Sequence, residues 1–245
     1  LGGSPWRGAW DEGARQGGNG PIVLAASWAR GEPERGAYDD AELARWRRAA
    51  LDARKQGRVV WVIAHGGALP DWQVARGGWL DPDALSNWGC WVDRLGRALL
   101  EAVDGWFGLW DPIGEARWYE GDARRVARIL LDVQAAAYIQ LHRGGGAGVP
   151  VGAAVALPPP PGGRLRAVTD ETHAWLTRGW VRAAATGRLA PPLALVGELP
   201  NGAPAIDHLG VIGPGSTGML PVDLPFFLIG NVDAGGGRVL ARTDG

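Results

Sequence analysis

Unbroken apolar runs alternate along this chain with stretches where apolar residues recur every three or four positions. The first kind predicts buried strands and the second amphipathic helices. Ile22 to Ser27 is a small-residue apolar run that ends in Ser-Trp-Ala-Arg. Asp39 or Asp40 then caps a helix with Leu43, Trp46, Ala50 and Ala53 on one face, stopped by Gly57. Val59 to Ala64 reads as a second strand, closed by His65-Gly66-Gly67. Asp81 before Pro82 predicts the next helix start, and Trp88, Trp91, Val92, Leu95 and Leu99 give that helix its apolar stripe. A strand over 106–110 follows, then a helix over roughly 122–142 with Val126, Ile129, Leu130, Val133 and Ala137 inward. Val149 to Leu157 is the next strand, ended by consecutive prolines that continue neither helix nor sheet. Thr169 caps a helix to about Ala185 carrying Trp175, Leu176 and Val181. Ile206 to Ile212 and Pro225 to Ile229 complete the strands.

Strands that are apolar throughout and alternate with helices predict a parallel sheet covered by helices. No glycine-rich phosphate-binding turn follows the early strands, which favours a barrel over an open doubly wound sheet. The expected fold is therefore a single α/β domain over 1–245, a (β/α)8 TIM-barrel-like architecture. At 245 residues it is a shortened one, since such barrels usually take about 250. A net charge of −1 gives no electrostatic reason to expect nucleic acid or an anionic membrane. No apolar run has membrane-spanning length and the first residues do not read as a signal peptide. Cys90 is the one cysteine, which excludes an intrachain disulfide and suits a reducing, cytoplasmic compartment.

Candidate chemistry centres on Trp106-Phe-Gly-Leu-Trp110-Asp111-Pro-Ile-Gly-Glu115, an apolar strand delivering a carboxylate at its carboxyl end, where barrels keep their active sites. Asp111 is the first candidate acid, although Asp-Pro is also ordinary loop chemistry. Glu115 lies on the same loop and can supplement it. His65 ends a strand as a candidate base or hydrogen-bonded scaffold, and His208 lies within one. Fourteen tryptophans serve packing and, where they fall near strand ends, offer stacking platforms for sugars or flat ligands. Trp88 and Trp91 fall in helix patterns, whereas Trp28, Trp72 and Trp110 fall near strand ends. Spacing gives no metal-site signature and no Ser-His-Asp arrangement, so no metal or cofactor is expected.

Several landmarks, in order and across nearly the whole chain, resemble glycoside hydrolase family 1, the β-glucosidase type. Ser27-Trp28-Ala29-Arg30 resembles the family's Ser-Trp-Ser-Arg. His65-Gly-Gly-Ala-Leu69-Pro70-Asp71-Trp72 resembles its His-His-Trp-Asp-Leu-Pro-Gln-Trp, and Arg76-Gly77-Gly78-Trp79-Leu80 matches a family segment in full. Trp106 to Pro112 stands in place of the strand ending Leu-Asn-Glu-Pro. Ile206 to Val211 resembles the Asp-Phe-Leu-Gly-Val strand, and Pro225 to Asn231 the strand ending Thr-Glu-Asn-Gly. The resemblance implies a TIM barrel with its ligand site at the carboxyl ends of the strands, and Asn231 among the ligand contacts. Nothing corresponds to the family's first helix between Trp10 and Ile22, or to its eighth strand. The expected barrel is thus open, or completed by a partner chain, a homo-oligomer or residues outside this sequence.

The departures bear on function. Asp111 stands where the resemblance puts the acid/base Glu, with Trp110 in place of the Asn, and the nucleophile position falls on Gly230. Gly66, Gly67, Val23 and Ile212-Gly213-Pro214 replace residues that would contact sugar. Retaining glycosidases need two carboxyl groups about 5–5.5 Å apart, and glycine forms no glycosyl ester. The expected protein is therefore a repurposed, roomier pocket that binds or transforms a bulky glycoside or aromatic specialised metabolite. Acid-assisted cyclisation or dehydration by Asp111 is one such use. The alternatives are an active β-glycosidase pairing Asp111 with Asp233 or Glu115, and a non-catalytic structural or partner-binding protein.

Overall fold

The computed structural model describes residues 22–66, 68–144, 148–156, 170–189, 193, 197–199, 202–212, 227–231 and 239–241. Its larger sheet has the order β1-β2-β3-β4-β7-β8-β9. β1 (Ile22–Ala25), β2 (Val60–His65), β3 (Gly105–Trp110), β4 (Val151–Ala156) and β7 (His208–Ile212) pair in parallel, each with the next. The crossovers carry α1 (Trp28–Gly31) and α2 (Asp40–Lys55), then α3 (Asp71–Ala75) and α4 (Ala84–Leu99), then α5 (Pro112–Ala116) and α6 (Ala123–Gly144), and last α7 (Asp170–Thr186). A two-stranded antiparallel pair, β5 (Arg188–Leu189) and β6 (Gly197–Glu198), sits between α7 and β7. Strands alternating with helices make a shortened, barrel-like α/β fold, as the pattern predicts. No helix among the described residues is long and apolar enough to cross a membrane.

The carboxyl-terminal strands depart from expectation. β8 (Phe227–Asn231) and β9 (Val239–Ala241) run antiparallel to their neighbours. The register pairs Ile212 with Phe227 and His208 with Asn231. The segment expected as one more parallel strand is thus the return strand of a ladder with β7. Two smaller corrections are local. Ser27 ends no strand but caps α1, its hydroxyl accepting from the Arg30 N–H at 3.3 Å. α4 starts only at Ala84, and the Asp81 carboxylate ahead of it accepts from the Asp83 N–H at 3.2 Å as well as from Arg76 at 2.7 Å and Gln73 at 3.1 Å.

Alternation along the strands divides the sheet into two faces. Trp61, Ile63, Phe107, Trp110 and Ala154 form one cluster, with Val23 and Ala25 packed against it. The Trp61 and Phe107 rings lie 4.8 Å apart. The other face, with Val60, Val62, Ala64, Trp106 and Val151, belongs to the main core shared with the helices. α2 is capped by Asp39, which accepts from the Glu42 N–H at 2.9 Å, and it buries Leu43, Trp46, Ala50 and Ala53. α4 buries Trp88, Trp91, Val92, Leu95 and Leu99 completely, each side chain contributing roughly 1.5–3 kcal/mol or more by area. A buried indole N–H needs an acceptor. Trp88 donates to the Val133 carbonyl of α6 at 2.8 Å and Trp91 to the Ala64 carbonyl of β2 at 3.1 Å, so the same rings that fill the core also fix helix to helix and helix to sheet.

β3 carries one extra residue. Phe107 pairs with Gly152, but Trp110 pairs with Ala154, so three steps on β3 match two on β4. The bulge leaves backbone groups without ladder partners, and the wholly buried Gln134 of α6 supplies them. Its Oε1 accepts from the Leu109 N–H at 3.1 Å, and its Nε2 donates to the carbonyls of Gly152 at 3.2 Å and Ala205 at 3.0 Å. Gly108 is required beneath it, because a Cβ there would lie 2.5 Å from Gln134 Oε1. Gly31 is equally constrained, since its Cβ would meet the Trp91 ring at 2.4 Å.

Gln134→Leu keeps the volume and strands three buried backbone groups. It should destabilise the fold by about 3 kcal/mol, read as a urea midpoint shift with an unchanged slope. Gly31→Ala should cost about 1–3 kcal/mol by overpacking against Trp91. A Gly31→Ala variant with wild-type stability in the same urea titration would show that the indole yields freely.

Candidate active site

The carboxyl ends of β2 and β3 deliver His65 and the pair Trp110-Asp111. Asp111 has φ 47° and ψ 60°, the only non-glycine residue with positive φ among those described. Pro112 begins α5 immediately after it, and a following proline disfavours the right-handed helical region for the residue before it. Asp tolerates the left-handed region better than most residues, and here its carboxylate caps the helix, accepting from the Gly114 N–H at 3.3 Å. Its own N–H donates to the Ala154 carbonyl at 2.7 Å. Gly114 is fixed by this geometry, because a Cβ there would lie 2.0 Å from the Asp111 carboxylate. Strained backbone of this kind concentrates where a site holds a side chain in place.

Glu115 follows within α5. Its carboxylate accepts from His65 Nε2, at 2.8 Å to Oε2 and 3.0 Å to Oε1, and from Trp79 Nε1. The His65 ring is wholly buried and stands edge-on to Trp79 and Trp88, at 5.3 and 5.9 Å between centroids. The bond to Glu115 assigns the ring hydrogen to Nε2, and Nδ1 is buried without a hydrogen-bond partner among the described residues. His65 and Glu115 therefore meet each other within the helix-side aromatic layer.

The Arg76-Gly-Gly-Trp-Leu segment explains itself around this pair. Gly77 and Gly78 both have positive φ, and a Cβ on Gly78 would lie 2.3 Å from the Tyr119 hydroxyl. That hydroxyl accepts from the Trp79 N–H at 3.0 Å. Burial pushes the Tyr119 phenol up to about 12 and the nearby Glu115 charge adds to it, against the opposing Trp79 N–H. Arg76 closes the segment on Asp81 and Asp83. Its hydrogen bond holds the Asp81 carboxyl below the ordinary carboxylate value, against desolvation.

The expected stacking tryptophans have different places. Trp28 is fully buried, with Trp72, Trp79 and Trp88 within 6.0 Å of it, and its Nε1 donates to the Glu32 carboxylate at 2.7 Å. Trp72 is half-buried and donates to the Glu32 carbonyl at 2.9 Å. Trp110 lies on the opposite face, edge-on to Phe107 at 6.3 Å. Asn231 pairs with His208, the first residue of β7, so it belongs to the amino end of the sheet rather than the expected ligand end. Asp233 lies outside the described residues. No cluster of three or more potential metal ligands occurs among the described residues.

Sequence reasoning passed over Glu32, Gln134, Trp79 and Tyr119 as partners of the site. Glu32 is buried and also accepts from the Gly36 N–H at 2.7 Å. An acidic residue four positions after a tryptophan was the available signal, since that spacing brings two side chains together on a helical turn. Gln134 had a weaker one, a polar residue between the inward Val133 and Ala137.

A scan against protein-family models finds no match for the sequence, and a search of curated proteins finds none either. Solved structures do match. A β-glucosidase from Exiguobacterium marinum superposes with a TM-score of 0.65 at 17% identity, over 82% of this chain and 54% of that one. A β-glycosidase from Pyrococcus horikoshii gives 0.63 at 20% identity, over 84% and 50%. The GH1 β-glucosidase from Exiguobacterium antarcticum B7 gives 0.56 at 18% identity, over 62% and 38%. The chain thus spans about half the length of the enzymes it resembles, or less. At these identities the likeness concerns the fold. The chain has a glycoside hydrolase family 1-like α/β barrel fold, carried over about half the length of the β-glucosidases.

Proposed function

We propose that this protein binds a bulky glycoside or flat aromatic metabolite at the carboxyl end of β3 and does not perform retaining glycoside hydrolysis. The observation that carries the reading is Asp111, the single strained non-glycine residue among those described, held directly after Trp110 at the end of a barrel strand. Trp61, Phe107 and Trp110 form a buried aromatic cluster on the strands that lead to it, and apolar, aromatic surroundings suit such ligands. Asp111 is the acid proposed for any cyclisation or dehydration there. A two-carboxylate mechanism lacks support, because Glu115 is engaged by His65 and Trp79 and Gly230 stands in the nucleophile's place. The antiparallel course of β8 also directs its carboxyl end to the amino end of β7. The proposed site is that of a repurposed pseudoenzyme for a small-molecule ligand, with no resident cofactor or metal expected.

The test is turnover of a chromogenic aryl β-glucoside and β-galactoside, beside calorimetric titration with an aryl β-glucoside. No turnover and saturable binding are expected. Asp111→Asn should keep binding within about threefold, since an amide preserves the shape and trades one polar interaction for another. Trp110→Phe should weaken binding by about tenfold through lost aromatic area. Turnover lost on Asp111→Asn together with Asp233→Asn or Glu115→Gln would replace this reading with an active glycosidase using a relocated pair. Absence of any binding would leave a structural or partner-binding protein.

Glu115→Gln separates scaffold from catalyst. Replacing the carboxylate that His65 and Trp79 share should cost about 2 kcal/mol of stability in urea and leave ligand affinity unchanged. A stable Glu115→Gln variant that loses turnover would assign Glu115 to the chemistry.

A further inference from the structure

At the amino end of β4, the last turns of α6 meet the segment leading into β7. His142 there presents both ring nitrogens to oxygen atoms: Nδ1 lies 2.9 Å from the Tyr138 carbonyl and Nε2 lies 3.1 Å from Asp207 Oδ2. The ring stacks on Tyr138 with centroids 4.2 Å apart. Asp207 gathers the neighbouring elements. Its Oδ1 accepts from the Tyr138 hydroxyl at 2.8 Å, its Oδ2 accepts from the Val151 N–H at 2.9 Å, and its own N–H donates to the Val151 carbonyl at 2.7 Å. One carboxylate therefore joins α6, β4 and the approach to β7.

A neutral imidazole has one N–H and one lone pair. Facing two acceptors, it satisfies one and turns its lone pair on the other. Only the imidazolium donates to both. We propose that His142 is a proton-operated latch, which fastens the end of α6 to β4 and β7 when charged and loosens this seam when neutral.

The surroundings agree. Asp207 is the one charged side chain facing His142 among the described residues. Tyr138 is neutral, since burial pushes its phenol up to about 12 with the Asp207 bond adding to it. β4 contributes only the Val151 backbone, and Leu141 beside His142 packs on Gly96 of α4. A cation in the last turn of a helix also suits its dipole. The hydrogen bond to Asp207 raises His142 above its ordinary 6.5, against desolvation. Desolvation would raise Asp207, but the bonds from His142, Val151 and Tyr138 outweigh it and hold the carboxyl below 3.8.

The signs define a window. A raised histidine contributes stability that is complete below 6.5 and lost as pH rises through its folded value. A lowered aspartate contributes stability that is complete above 3.8 and lost as pH falls through its folded value. The latch is closed between these limits and opens on the alkaline side as pH rises through the folded value of His142.

The measurement is NMR titration of the His142 ring with amide hydrogen exchange at Val151, corrected for intrinsic exchange. His142 should titrate above 6.5, and Val151 protection should fall with rising pH by up to about tenfold per unit of raised pKa. His142→Gln retains a donor without a charge, and its Val151 protection should be lower and flat across this range. Tyr138→Phe should keep the pH dependence at reduced protection. A ring titrating at or below its ordinary value would overturn the latch, as would a His142→Gln protein whose Val151 protection follows the wild-type pH curve.

Discussion

The extra residue in β3 sets the direction of everything at the carboxyl end of the sheet. A strand without the bulge would alternate sides regularly from Phe107 onward. With it, Trp110 returns to the face of Phe107 and Trp61, and the chain leaves the sheet at Asp111 in a left-handed conformation. The bulge persists because Gln134, carried by a different element, supplies the hydrogen bonds that β4 cannot. Buried backbone groups are costly when unpaired, so the position of Asp111 depends on a side chain of α6.

A second consequence is the division of labour on the β3–α6 loop. Asp111 caps α5 at the strand end, whereas Glu115, one helical turn later, turns into the aromatic layer and holds His65 and Trp79. The indoles act there as a framework whose N–H groups are each assigned to a carbonyl or carboxylate. Trp106 and Trp180 differ, since their buried N–H groups have no hydrogen-bond partner among the described residues. The function proposed for the site rests on the strained Asp111 carboxylate and the aromatic cluster of β2 and β3.

The strand–helix alternation was legible because apolar runs and 3.6-residue stripes survive in the sequence. α2, α4 and α6 bury the residues those stripes name, apart from the half-buried Ile129. The caps of α1 and α4 were less legible. Ser27 has the composition of a strand end yet caps a turn of helix, and Asp81 accepts from the Asp83 N–H ahead of α4 while also pairing with Arg76. The direction of β8 was not legible at all. An apolar run specifies burial, and the same run serves a parallel or an antiparallel ladder.

The sequence by itself therefore determined the α/β class, the order of its elements, the faces that are buried and the arrival of Asp111 at a strand end. Each of these follows from periodicity and local turn chemistry within a few residues. Only the tertiary structure decided the antiparallel β8, the bulge held by Gln134, the burial of Trp28, the pairing of Glu115 with His65 and the junction of His142 with Asp207. All of these depend on which partners, tens of residues apart, reach a buried polar group first. No local pattern encodes that competition.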